Sequence, residues 1–200
     1  MAARRARRAA PARRDQHFLR SSRLAATIVD GACVAPGDLV LDLGAGTGVL
    51  TRELVRRGAT VVAVELDPDL ARGLAETVPA ARVVEGDATI VPLPTEPFLV
   101  VANLPFGTTT DILRRLLDPR VPLRRGELIV QWELAAKRAA VWPSTVLGVH
   151  WGAWYDLAVV PPRERKRLAG ELGFDRAARP RDLDARQWAA VYRNAVRRRL

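Results

Sequence analysis

The chain has 200 residues, 48% of them hydrophobic, enough to bury the core of one domain with a small appendage and too few for a second full domain. Its formal net charge of +10 is uneven: residues 1–20 carry +6, residues 161–200 carry +7, and the body between them carries −3. A mildly acidic body with two basic ends suits contact with a polyanion, RNA or DNA, although a solvated charge run would look the same.

All but two of the 32 basic residues are arginine, the better fork for phosphate. Cys33 is the only cysteine, so an internal disulfide is excluded, and it reads as a small buried hydrophobe. With His17 and His150 as the only histidines, no metal site of sensible spacing exists. Residues 1–14 are Arg-rich and acid-free, and no apolar core follows them as a secretory leader requires, so they read as a disordered basic arm. The longest stretch free of Asp, Glu, Lys and Arg, Ala139–Tyr155, is short for a membrane span and holds Pro143, Gly148 and Gly152. The expectation is a soluble, cytoplasmic protein that acts as a monomer.

In chain order, Leu39–Leu43 is an apolar run ended by glycines, and Val49–Arg57 has apolar residues at helical spacing: strand, tight loop, helix. Gly58 closes that helix, Thr60–Val64 is a β-branched strand, and Pro68–Glu76 reads as a second helix. Arg82–Glu85 and Phe98–Ala102 are the third and fourth strands, with a proline-rich loop between them. Thr109–Leu117 then reads as a helix, Leu128–Gln131 as a short strand and Glu133–Val141 as a helix. Residues Val146–Val160 are expected to supply edge strands, with Trp142, Trp151 and Trp154 used for packing. Beyond Pro161 the chain turns polar and helical, with Leu183–Val196 the clearest amphipathic segment. Strands alternating with helices imply a parallel sheet covered on both faces, with ligands at the carboxyl ends of its strands.

The chemistry-bearing residues fall at those ends. Asp42-Leu43-Gly44-Ala45-Gly46-Thr47-Gly48 follows the first strand and opens a helix. The dinucleotide fingerprint would need a small residue where Val49 stands. The pattern acid-x-Gly-x-Gly-x-Gly instead resembles the first motif of class I S-adenosylmethionine methyltransferases, whose loop lies against the methionine portion of the cofactor. The fold class is thus α/β, a Rossmann-like methyltransferase sheet with helices on both faces and a short helical C-terminal appendage. Glu65, ending the second strand with Leu66 beside it, stands where ribose hydroxyls would be accepted. Asp87, with Ala88, stands where the cofactor's adenine amino group would be. By this resemblance the three carboxylates are the cofactor-binding set. Each alone also reads as an ordinary turn or helix cap.

Asn103-Leu104-Pro105-Phe106 follows the fourth strand. An exocyclic adenine amine is a poor nucleophile, because its lone pair is delocalised into the ring. The Asn103 side-chain oxygen and a backbone carbonyl held by the fixed φ of Pro105 can each accept one N–H of that amine, and Phe106 can stack on the base. The lone pair is then aimed at the methyl donor without a strong general base. A paired base cannot reach such a pocket, so the target is unpaired or flipped out.

Over about residues 15–160 the chain resembles ribosomal RNA adenine N6-methyltransferases, in particular the erythromycin-resistance branch. Gln16-His17-Phe18-Leu19 resembles that family's Gln-Asn-Phe-Leu segment, which covers the cofactor, with His17 where Asn is usual. Asn103 to Gly107 followed by Thr109 and Thr110, and Gln131-Trp132-Glu133 leading to Lys137-Arg138, resemble the drug-resistance branch more than its small-subunit relatives. The resemblance implies S-adenosylmethionine as cofactor, held by Gln16, His17, Phe18, Leu19, Asp42, Gly44, Gly46, Gly48, Glu65, Leu66, Asp87, Ala88 and Asn103. It implies mono- or dimethylation of one adenine in 23S (large-subunit) rRNA, and resistance to macrolides, lincosamides and streptogramin B. Free or precursor rRNA is the expected partner, gripped by Arg4, Arg5, Arg7, Arg8, Arg13, Arg14, Lys137, Arg138, Arg163, Arg165, Lys166 and Arg167. A DNA adenine N6-methyltransferase is an alternative, against which Leu104 stands in place of a first proline; a non-catalytic RNA-binding or ribosome-assembly factor on a methyltransferase fold is another.

After Val160 the chain departs from the family pattern Phe-x-Pro-x-Pro-x-Val-x-Ser: Pro161-Pro162 leads at once into Arg163-Glu164-Arg165-Lys166. The second aromatic of a base sandwich and the last sheet strand are therefore unassigned, and residues 161–200 form a basic, helical segment shorter than the family's.

Overall fold

The computed structural model describes residues 19–138, 146–152, 154–159 and 193–198. Its elements are α1 (Ser22–Ala32), β1 (Leu39–Leu43), α2 (Val49–Arg56), β2 (Thr60–Glu65), α3 (Pro68–Thr77), β3 (Arg82–Glu85), β4 (Phe98–Asn103), a 3-10 turn (Phe106–Thr108), α4 (Thr109–Leu116), β5 (Leu123–Ile129), α5 (Trp132–Arg138), α6 (Val146–Gly152), β6 (Tyr155–Val159) and β7 (Arg193–Arg198). The strands form one seven-stranded sheet in the order β3-β2-β1-β4-β5-β7-β6. The first five are parallel, and β7 runs antiparallel to both β5 and β6.

Alternation along the strands builds a core on each face. Leu99 and Val101 of β4 pack with Ile28, Leu54, Val61 and Leu74 on the side of α1, α2 and α3. Phe98, Val100 and Ala102 of the same strand pack with Ile112, Leu116, Trp151 and Tyr155 on the other side. Helix α1, which the sequence did not announce, starts where Ser21 accepts the Leu24 N–H at 3.2 Å, buries Leu24, Ala25, Ile28 and Val29, and ends at Cys33 with φ 52°. Helix α3 is started by Asp67, whose side chain accepts from Asp69 and Leu70, with Pro68 in the first turn.

Several expectations need correction. Strand β5 begins at Leu123 rather than Leu128 and ends at Ile129: Arg124, Arg125 and Glu127 interrupt the apolar run, yet Arg125 and Glu127 pair with β4 and Arg124 is passed over at a register shift. Residues Val146–Gly152 are helical, and only Tyr155–Val159 of that stretch is an edge strand. Residues 193–198, expected at the end of and beyond an amphipathic helix, form β7. There the open hydrogen-bonding edge of β5 outweighs local helical preference, because an unpaired edge leaves its N–H and C=O groups unsatisfied. The remainder of the expected tail, including residues 183–192, lies outside the described residues, as do the N-terminal arm at 1–14 and Trp142. Trp151 is buried as expected, but Trp154 is exposed, and Cys33 is an exposed helix cap rather than a buried hydrophobe. Among the described residues no helix is long and apolar enough to cross a membrane, and no group of three or more His, Cys, Asp or Glu could hold a metal ion.

Ile28 is fully buried between α1 and the sheet, so Ile28→Ala should lower the unfolding free energy by about 2–5 kcal/mol. Urea denaturation should show the midpoint falling at constant slope; an unchanged midpoint would remove α1 from the cooperative core.

Candidate active site

The site begins with a constraint on the chain between β1 and α2. Gly44, at φ 78°, lies against the turn after β4: a Cβ added there would sit 3.1 Å from Pro105 Cδ, 3.2 Å from Pro105 Cγ and 3.6 Å from the Asn103 carbonyl. Any side chain would push the two loops apart. Gly48, at φ 77°, leads into α2, and a Cβ there would run into the Leu74 side chain of α3. The loop is tied to β2 by backbone bonds from Gly44 and Ala45 N–H to the Val64 carbonyl, at 2.8 and 3.0 Å.

Glu65 closes the loop from the end of β2. Its Oε2 accepts the Gly46 N–H at 2.7 Å and its Oε1 accepts the Asp67 N–H at 2.9 Å, so a buried carboxylate is held by two backbone donors. Asp42 is 1% exposed, at the end of β1. Its Oδ2 accepts the hydroxyl of Thr51 on α2 at 2.6 Å, while its Oδ1 is buried with no hydrogen-bond partner. Burial pushes the Asp42 carboxyl up from its ordinary 3.8 to about 7; the Thr51 hydrogen bond opposes the rise and the charge of Glu65 adds to it. Asp87, half-buried after β3, takes the Thr89 N–H at 2.8 Å and the Thr89 hydroxyl at 2.7 Å, both on Oδ1.

The turn after β4 is fixed from two sides. Leu104 is buried, and its N–H continues the sheet by donating to the Ile129 carbonyl at 3.1 Å. The Pro105 carbonyl accepts the Thr108 N–H at 3.2 Å and the Thr109 hydroxyl at 2.8 Å. Pro105 is exposed, and Asn103 and Phe106 are half-buried. Asn103, Leu104, Pro105 and Phe106 therefore leave the sheet directly beside Gly44.

The structure thus brings Asp42, Gly44, Gly46, Gly48, Glu65, Leu66 and Asn103 to the neighbouring ends of β2, β1 and β4, with Asp87-Ala88 at the next, that of β3. Leu66 is exposed and Ala88 buried. Leu19 is buried in the core on the α1 side, while Gln16, His17 and Phe18 lie outside the described residues. Lys137 is exposed on α5, and Arg138 ends that helix. Arg4, Arg5, Arg7, Arg8, Arg13, Arg14, Arg163, Arg165, Lys166 and Arg167 also lie outside the described residues. Sequence reasoning missed Thr51 and left Thr109 without a role. Each sits on the inward face of its helix, a polar residue among apolar ones, and that was the available signal.

The raised Asp42 carboxyl fixes a sign. The folded chain holds this proton up to about pH 7, whereas the unfolded chain releases it near 3.8. The contribution of Asp42 to stability is therefore full below about pH 4 and is lost as pH rises towards 7. Asp42→Asn, in the absence of cofactor, should gain stability relative to wild type across that window. Denaturant titrations at pH 5 and 8 check this; parallel stability curves for the two proteins would contradict it.

The ribosomal RNA adenine dimethylase family matches residues 10–164. The chain is 38% identical over 146 residues to the mycinamicin-resistance protein MyrB of Micromonospora griseorubida, covering 72% of this chain and 47% of that protein. It is 41% identical over 136 residues to ribosomal RNA small subunit methyltransferase A of a Synechococcus species, strain JA-3-3Ab, covering 62% and 49%. The chain thus spans about half the length of the curated relatives it matches. The crystal structure of 23S rRNA methyltransferase ErmE superposes with a TM-score of 0.66 at 23% identity, covering 87% of this chain and 97% of that one, a likeness of fold. With its five parallel strands, glycine loop and strand-end carboxylates, the chain has the fold of the class I S-adenosylmethionine-dependent methyltransferases and belongs to the ribosomal RNA adenine dimethylase family.

Proposed function

We propose that the chain binds S-adenosylmethionine and methylates N6 of an unpaired adenine in 23S rRNA, conferring resistance to macrolide, lincosamide and streptogramin B antibiotics. The observation that carries this reading is the packing of Gly44 on Pro105 and Asn103, which puts the glycine loop and the Asn103 to Phe106 turn side by side.

The residues present fit the cofactor. Glycine at 44, 46 and 48 leaves bare backbone along the loop, against which the methionine portion would lie. Glu65 keeps lone pairs on both oxygens for ribose hydroxyls after taking its two backbone bonds, and Asp87 serves the adenine amino group. The buried, unpartnered Oδ1 of Asp42 beside that loop calls for a donor. When bound, the cofactor supplies an electrophilic sulfonium methyl group.

The chain's own part is positioning. The Pro105 carbonyl is already engaged by Thr108 and Thr109, so the backbone acceptor is assigned to the Leu104 carbonyl, acting with the Asn103 side-chain oxygen. Two acceptors on one amine draw its nitrogen towards tetrahedral geometry and point the lone pair at the methyl donor. Phe106 holds the base by stacking, and the proton leaves once the nitrogen is cationic.

The large-subunit target rests on the run Asn103 to Gly107 with Thr109 and Thr110, on Gln131-Trp132-Glu133 with Lys137-Arg138, and on the likeness to a resistance protein. The likeness to a small-subunit methyltransferase favours a second reading, methylation of 16S rRNA. The protein incubated with labelled S-adenosylmethionine and protein-free 23S or 16S rRNA should label 23S, and expression in a sensitive host should raise macrolide resistance. Label in 16S alone would select the second reading, and label in duplex DNA a DNA methylase. Asn103→Ala should reduce transfer at saturating S-adenosylmethionine by roughly a hundredfold or more while the fold persists. Full activity in that variant would remove the catalytic assignment.

A further inference from the structure

Helix α4 touches the site at both of its ends. At its start Thr109 holds the Pro105 carbonyl, and in its last turn Arg115 crosses to the chain after β3. There Nη1 donates to the Ala88 carbonyl at 2.8 Å and Nη2 donates to the Val91 carbonyl. These carbonyls bracket a turn that is closed from within, since Ile90 and Val91 N–H both donate to the Asp87 carbonyl, at 3.0 and 2.9 Å. The Asp87 side chain is locked in turn by its two bonds from Thr89. A guanidinium suits this task because its planar fork presents two donors at once to two carbonyls, where a lysine presents a single point. Burial lowers the Arg115 pKa from its ordinary value, against the opposing pull of the nearby Asp87 charge; a guanidinium is a cation in proteins at any working pH.

We propose that Arg115 is a positioning residue for the cofactor: by pinning the carbonyls of Ala88 and Val91 from α4, it sets the place of the Asp87 carboxylate that recognises the adenine amino group. The inference rests on the S-adenosylmethionine reading above and deepens it. It also makes α4 a strut that registers the adenine-recognising turn against the amine-binding turn, because Thr109 and Arg115 belong to one rigid element.

The test is calorimetric and needs no rRNA. S-adenosylhomocysteine and S-inosylhomocysteine differ at the purine 6-position, where an amino group becomes a carbonyl oxygen that a carboxylate repels. Wild type should bind the adenosyl compound tighter by roughly tenfold or more, as expected for one hydrogen bond to a charged acceptor. Arg115→Ala should lose most of that ratio through weaker adenosyl binding, while the inosyl affinity changes little. Arg115→Lys should fall between the two. A merely structural role for Arg115 would weaken both ligands together and leave the ratio intact, which overturns the proposal. If the alanine variant does not fold, the lysine variant decides: a ratio equal to wild type overturns the proposal. Absence of adenosyl binding by wild type would instead overturn the cofactor reading itself, and the proposal with it.

Discussion

The site depends on one close approach. Gly44 and Pro105 belong to the turns that leave β1 and β4, neighbouring parallel strands, and they meet where no Cβ would fit without forcing the neighbour to move. Parallel pairing brings both turns to the same end of the sheet, and the missing side chain lets one rest on the other. The backbone on both sides is then committed: Gly44 and Ala45 to Val64, Leu104 to Ile129, and Pro105 to the start of α4. The contact is therefore set by strand order and by what each turn is tied to, and a ligand spanning the two turns would meet a surface already formed.

Charge at this end of the sheet is handled differently from strand to strand. Glu65 is buried, yet each of its oxygens has a backbone N–H donor, and one of them belongs to the glycine loop it stabilises. Asp42 is as deeply buried and has a single hydroxyl, with one oxygen left over. Removing a carboxylate from water without full compensation favours its neutral form, which is why Asp42 holds its proton so far above the usual carboxylate range. The adjacent negative charge of Glu65 pushes the same way. An incompletely satisfied acid beside a glycine loop is costly for folding alone. In the proposed reading, a donor from the bound cofactor at Oδ1 would offset that cost.

Around the strand ends the helices act as fixed supports. Helix α2 supplies Thr51 to Asp42, α3 begins beside Glu65 with its own Asp67 cap, and α4 carries Thr109 at one end and Arg115 at the other. The bonds from α4 run from a packed element to turns, and turns gain definition this way because they lack the repeating bonds of strands and helices. The amphipathic placement of α4, with Ile112, Leu113 and Leu116 buried, gives that element the rigidity to hold two turns at once.

The sequence by itself determined the first five parallel strands in type and order, the glycine loop, the three strand-end carboxylates and the Asn103 to Phe106 turn. These are local patterns: apolar runs ended by glycine or an acid, and helical spacing between them. Tertiary structure decided what local pattern could not carry. Strand β5 reached back to Leu123 through Arg124, Arg125 and Glu127 because pairing with β4 is set by the neighbouring strand and not by polarity. Residues 193–198 became a strand because β5 had an open edge. Cys33 lies exposed as a left-handed cap, Thr51 and Arg115 acquired partners on other elements, and Thr109 turned back to the Pro105 carbonyl. Such roles depend on which groups remain unsatisfied after the chain has packed. A motif states which residues a site needs; only the packed sheet and helices settle which atoms are already spoken for, and so which remain for a ligand.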